Sequence, residues 1–443
     1  MRTVPGSRLP RVIQFYRYGK DVPGYLTQQR EEFGPVFKIR MPFDEPYVIV
    51  CDPELIDEVL KLDEEYLPAY PANRWIKPLF GEESILFVNG QGHRTHRKIM
   101  KPHLSVEASD QSRERIRQQA ERYLNQSGVE PLSAYEWTLG FMLRSTLENL
   151  ISMTDQDWLN RFESIVLSAR KRYSSFYNLA LDAAAYSDDY HPLITQWARL
   201  NKHHIARDEI AAQFHDLLRE HMNQRVNDAY VDHDDVFEKY ASRYQSGEIT
   251  ELELMSSVMT LLIAGFDPPS IVATRLLLIL SFKPELQGTI RDELSHSDSS
   301  ASLRQAILET LRLYPPLYAV TRTLKCDIKL GEYEIPANTN LFLCVHLMQR
   351  EKDYWPDPLK FDPQRFANGT LPGIREGFMP FGGNKRACPG RHYGVVKIEE
   401  YLSEILRSNE VVPLCESSAP DTIQCYGPVF TPREQDLIQL KPL

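Results

Sequence analysis

The stretch FMPFGGNKRACPGRHYGVVKIE, Phe378–Glu399, sets Cys388 in a loop of Gly, Asn, Pro and Arg and follows it at once with a segment of helical character. Glycines at 382, 383 and 390 permit positive φ and the close approach of a flat ligand, and Asn384 is the next most tolerant residue of the left-handed region. Such a loop can point a sulfur outward. Backbone N–H groups after Cys388, with a helix opening near Gly390, favour a thiolate because a helix N-terminus carries partial positive charge. A lone cysteine in a Gly-rich turn is ordinarily an inert thiol, so its company has to argue for more.

Working outward, the chain has 443 residues, 42% hydrophobic and 25% charged, which are the proportions of a globular protein with an ample core. A formal charge of −10 argues against nucleic acid as a partner. The six cysteines (51, 326, 344, 388, 415, 425) form no CxxC pair, so neither a zinc site nor a disulfide framework is expected, and a reducing compartment is. MRTVPGSRLPRVIQFYRYGKD at the N-terminus is polar and basic, which predicts neither a secretory signal nor a membrane anchor, and a cytoplasmic location.

Residues 36–51 alternate and are rich in β-branched and aromatic residues, predicting a hairpin, with a short helix at 53–61. An irregular segment at 62–90 carries Tyr66, Tyr70, Trp75, Phe80 and Phe87. From 107 to about 225 the apolar spacing is helical. His203, His204, His215 and His221 within it are read as a solvated helix face, because no carboxylate and histidine set recurs at the spacing of bundle metal sites. Strand-like runs return at 324–346, and VFTPREQDLIQL near the end reads as a final hairpin.

Four further motifs matter. In GQGHRTHRKIM, His93 and Arg97 share one helix face. Glu309 and Arg312 stand three apart before Pro315 and Pro316, and Arg365 lies downstream in FDPQRF. The apolar run 251–282 contains Ala264, Gly265, Phe266 and Asp267, followed by Pro268 and Pro269. Two interior prolines each cost a regular helix about 3 kcal/mol. They leave the carbonyls of Ala264 and Gly265 without backbone partners, so the chain either bends there or ends one helix and begins another.

The spacing Phe381, Asn384, Arg386, Cys388, Gly390 resembles the haem-ligand signature of the cytochrome P450 family, with Asn384 where Gly is usual. The other motifs follow in that family's order. The resemblance implies a mainly α fold with a small β-rich lobe, one haem-thiolate domain over residues 1–443. The β-rich lobe would take approximately 30–60, 320–346 and 424–440. It implies haem b on Cys388, propionates held by His93, Arg97, Arg322 and Arg386, and a structural triad of Glu309, Arg312 and Arg365. Ala264 and Gly265 would give dioxygen and substrate room, with carbonyls freed by the prolines binding water or substrate.

Pro268 replaces the family's Thr, whose hydroxyl helps position the water that brings protons; Asp267 or another route must then serve. Hydroxylation of an apolar natural product is expected, with a ferredoxin- or flavodoxin-type electron donor. Oxidative coupling, desaturation or rearrangement is the alternative, and a haem protein that binds a ligand without turnover a second one. Fatty-acid peroxygenases of the family have Arg before the Pro; Asp267 would repel such a carboxylate.

Overall fold

The computed structural model describes residues 2–41, 47–62, 66–68, 77–126, 130–173, 196, 202–227, 234–414, 424–426, 429–432 and 436–443. Tyr70 and Trp75 lie outside them. β1 (Val36–Ile39) and β2 (Tyr47–Val50) form the expected hairpin, with Val36 opposite Val50. The helix Pro53–Leu60 follows, opened by Pro53 and capped by the Asp52 carboxylate on the Leu55 N–H at 2.9 Å.

The strands β4 (Val320–Thr323) and β7 (Asn340–Leu343) complete a sheet of order β1-β2-β7-β4, in which only β2 and β7 run parallel. Its period-two pattern divides the side chains between two small cores. Val36, Val48 and Val50 pack with Ile56 and Val59, whereas Phe37, Ile39 and Ile49 pack with Tyr18, Tyr25 and Leu26. A short hairpin, β5 (Ile328–Leu330) with β6 (Tyr333–Ile335), lies between β4 and β7 in the chain.

The larger core is helical and is built around Glu251–Ser281, the roof helix. Thr250 and Glu253 close its start with a reciprocal capping box. At 31 residues it is about 46 Å long. It is apolar nearly all round and is long and apolar enough to cross a membrane, but two thirds of that stretch is buried inside the protein, as in a core helix. It packs against the brace helix, Ala134–Ile151, and the thiolate helix, Arg391–Ser408. Near its far end the buried Arg275 donates to the carbonyl of Thr431 at 2.9 Å and lies over the Tyr314 ring.

Two expectations give way. The terminal segment is not one hairpin: β10 (Val429–Thr431) pairs with β9 (Gln424–Tyr426), but β11 (Leu437–Pro442) pairs with β8 (Asn409–Pro413) and β3 (Leu132–Ser133). Ile438 and Leu440 of β11 are buried in the helical core, so distant apolar surface outcompetes the nearer partner. Nor is the histidine run uniformly solvated. In the helix Lys202–Asn227, His221 is buried between the rings of Trp158 and Phe237, with its Nε2 3.2 Å from the carbonyl of Ile151. Among the described residues no cluster of His, Cys, Asp and Glu is placed to hold a metal ion.

Candidate active site

The cysteine loop uses its permissive residues unequally. Gly382 and Asn384 occupy the left-handed region at φ 68° and 52°, and the Asn384 amide donates to the carbonyl of Leu60 at 2.7 Å, which offsets the strain of a side chain there. Gly383 is extended but tightly packed: a Cβ would come within 2.5 Å of Ile374 and 3.0 Å of Leu60. Gly390 needs neither freedom, with φ −91° and open space where a Cβ would stand. It serves instead as the residue from which the thiolate helix starts.

The Cys388 N–H donates to the carbonyl of Phe381 at 2.8 Å, and Phe381 itself packs, half-buried, against the helical core. Cys388 carries exposed surface although protein atoms surround its sulfur closely. Burial pushes its thiol up from the usual range, opposed by the Gly390 N–H and the positive charges of Arg97 and Arg391.

Cationic side chains converge on this loop. Arg97 donates to the carbonyl of Ala387, next to the cysteine, at 2.7 Å, and His93 is buried one turn before it. Arg386 donates to the carbonyls of Ile85 and Val88 at 3.0 and 2.7 Å and to the Asn89 amide oxygen at 2.5 Å. Arg322, buried on β4, donates to the carbonyl of Thr321 at 2.7 Å. Arg322 and Arg386 line, with Lys61, Asn384 and Lys385, a cavity of about 320 Å³.

Glu309, Arg312 and Arg365 meet. Arg312 grips both carboxylate oxygens of Glu309 at 2.7 and 2.8 Å with no exposed side-chain surface on either, while Arg365 reaches Glu309 at 3.4 Å. The other Arg312 donors hold the carbonyls of Gln349 and Lys360, and Glu309 accepts the N–H of Asp362 at 2.9 Å. Gln349 in turn accepts the Met379 N–H at 2.9 Å at the start of the cysteine loop.

The roof helix runs without interruption through Pro268 and Pro269, so one helix does not end there and another begin. Its space is arranged differently from expectation. Gly265 is tight: a Cβ there would lie 2.7 Å from the Thr146 methyl, so this glycine lets the brace helix approach and does not make room for a ligand. Ala264 is the exposed residue, with Leu261, Leu262 and Phe266 buried around it. The Gly265 carbonyl, freed by Pro269, is already taken by the Lys397 ammonium at 3.0 Å. Pro268 likewise removes the backbone N–H that would have met the Ala264 carbonyl. Asp267 is half-buried beside Pro268, and its backbone carbonyl accepts the Ser270 hydroxyl at 2.7 Å.

A cytochrome P450 family profile matches residues 4–438. The chain is a cytochrome P450. It is similar to cytochrome P450 734A1 of Arabidopsis thaliana, 24% identical over 90% of this chain and 77% of the other. It is also similar to the cytochrome P450 named 135B1 in Mycobacterium tuberculosis, 26% identical over 92% and 85%. Among solved structures, cyanobacterial CYP120A1 with retinoic acid bound superposes over 100% of both chains with a TM-score of 0.82 at 18% identity, a likeness of fold.

As a cytochrome P450 the protein binds haem b and is a monooxygenase-type oxidoreductase that takes a substrate, dioxygen and electrons from a redox partner. The residues fit that cofactor: a deep exposed sulfur offers the iron a thiolate, and clustered guanidinium groups suit two carboxylates. Sequence reading passed over Lys397 and Thr146. The signal for Lys397 was a lysine at an apolar position of the thiolate helix, between Val396 and Ile398. Thr146 left none.

Proposed function

We propose that this cytochrome P450 hydroxylates an apolar, neutral or cationic natural product, with protons brought by Asp267 and by water at the Ala264 carbonyl in place of a threonine hydroxyl. Cys388 holds the haem iron; His93, Arg97, Arg322 and Arg386 hold its propionates; Phe381 and Gly390 shape the loop beneath it. The Glu309, Arg312 and Arg365 cluster fixes the approach to that loop, and the whole chain works as one haem-thiolate domain. Bound there, haem b activates dioxygen with two electrons and two protons, so that substrate gains one oxygen atom and the other leaves as water. A ferredoxin- or flavodoxin-type protein supplies the electrons.

The observation that carries this reading is the arrangement of one roof-helix turn: exposed Ala264, half-buried Asp267, and Pro268 with no hydroxyl to give. A carboxylate within reach of water at an open carbonyl can pass protons inward, and the same negative charge repels anionic guests. Coupling, desaturation or rearrangement is the second reading, favoured by the same missing hydroxyl.

Turnover under 18O-labelled dioxygen with surrogate redox partners separates the two. Label in the product supports hydroxylation; label only in water supports the second reading. Asp267→Asn is expected to slow product formation at least about 10-fold, within the range of a lost proton-transfer group. Pro268→Thr is expected to raise the share of NADPH electrons found in product. Unchanged rates in Asp267→Asn defeat the proton route. Cys388→Ala should abolish the thiolate absorption band of the carbon monoxide complex, and its persistence would refute the ligand.

A further inference from the structure

Lys397 stands nine residues after Cys388 on the thiolate helix and is fully buried, at 0% exposure. Its ammonium meets three oxygens from two other helices: Thr146 Oγ1 at 2.6 Å, the Gly265 carbonyl at 3.0 Å and the Met142 carbonyl at 3.4 Å. The Thr146 hydroxyl hydrogen is committed to the Met142 carbonyl at 2.6 Å, so its oxygen can only accept from Lys397. Three acceptors around one nitrogen match the three N–H bonds of an ammonium. A neutral amine would turn a lone pair towards an oxygen.

The Gly265 carbonyl needs this partner because the residue four positions on, Pro269, has no N–H. Close packing of Gly265 on Thr146 brings that carbonyl within reach of the thiolate helix. We propose that Lys397 is a positioning residue for the oxygen-activating turn, its ammonium standing in for the N–H that Pro269 lacks and so fixing the turn from Ala264 to Asp267. This rests on the reading that the turn delivers protons. Lys397 touches no reacting atom; it acts through the Gly265 carbonyl.

The groups around it leave its charge unopposed. Tyr393, on its own helix, puts its ring 5.1 Å from the ammonium. Glu399 and Glu400 turn away to Arg113, Arg117 and Arg304. The brace helix offers Met142 and Thr146, and the roof helix the Gly265 carbonyl; among the described residues no carboxylate pairs with Lys397. Burial accordingly pulls its pKa down to about 7.

The test uses the haem-loaded full chain with Lys397→Met, Pro269→Ala and the two combined, read by thermal unfolding and by the ferric absorption spectrum. Lys397→Met is expected to lower the unfolding midpoint by about 3 °C. In the Pro269→Ala background, where the alanine restores a backbone N–H for the Gly265 carbonyl, the same replacement should cost less than half as much. Additive effects overturn the proposal.

If Lys397→Met loads no haem, rescue of loading by Pro269→Ala supports it and failure of rescue overturns it. The ferric spectrum should titrate with a midpoint near 7 in the wild type and in Asp267→Asn, but not in Lys397→Met. A wild-type spectrum that does not titrate, or an unchanged titration in Lys397→Met, refutes it. A neutral outcome for Asp267→Asn turnover would sink the proton route while leaving the Lys397 and Pro269 coupling intact.

Discussion

Among the described residues two cations, Arg312 and Lys397, lie at zero exposure, and their surroundings differ in one respect. Arg312 is gripped on two oxygens by Glu309, and its remaining donors hold backbone carbonyls. Lys397 has three neutral oxygens and, among the described residues, no carboxylate. Burial penalises both charges, but only the first is matched by an opposite charge in the same low-dielectric space. The ion cluster is therefore a fixed joint of the scaffold. The lysine is a joint whose charge depends on pH, tied to the Gly265 carbonyl of the roof helix. A guanidinium would not titrate in either place.

The comparison can be broken most forcefully at its paired member. Glu309→Gln leaves Arg312 and Arg365 facing each other without a carboxylate, and should cost about 3 to 5 kcal/mol in denaturant unfolding, with loss of bound haem. A cost under about 1 kcal/mol would mean that the cluster is not held by charge.

The next effect is smaller and concerns pH. The Lys397 pKa falls from 10.5 to about 7 on folding, so between those values the unfolded chain holds a proton that the folded chain has released. Stability attributable to this group therefore rises with pH across that window and is flat below 7, where both states are charged. The gain is at most about 1.4 kcal/mol per pH unit. Unfolding measured at pH 7 and pH 9 should show this rise in the wild type and a flatter response in Lys397→Met. Equal slopes would place the lysine among paired cations.

The smallest effect sharpens the paired side. Arg365 sits at the rim of its cluster, 3.4 Å from Glu309, and Arg365→Ala should cost only about 1 kcal/mol in the same measurement. A loss as large as that of Glu309→Gln would make the triad a single indivisible unit.

What the sequence made legible was local or carried by spacing. Asn384 takes the left-handed conformation because few side chains tolerate it, and that tolerance is a property of the residue itself. Glu309 and Arg312 meet because they share a helix face. Arg365 joins them from the short 3-10 helix Pro363–Phe366, 53 residues beyond Arg312, which only the family resemblance placed.

Tertiary packing hid the rest. Gly265 looked like room for a guest, but nothing in the chain says that Thr146 fills the space. His221 sits in a run of charged residues, and its burial depends on where Trp158 and Phe237 lie. The pairing of β11 with β8 and β3 over the nearer β10 is settled by apolar area that no short window displays. Lys397 is the sharpest case: the sequence shows both the lysine and the proline, but not that one nitrogen replaces the other.

The guanidinium of Arg275 gives the roof helix a second office. By holding the Thr431 carbonyl about three turns beyond Ala264, it yokes β10 to the helix that carries Pro268 and Pro269. β9, paired with β10, is tied to the roof helix through that same hydrogen bond.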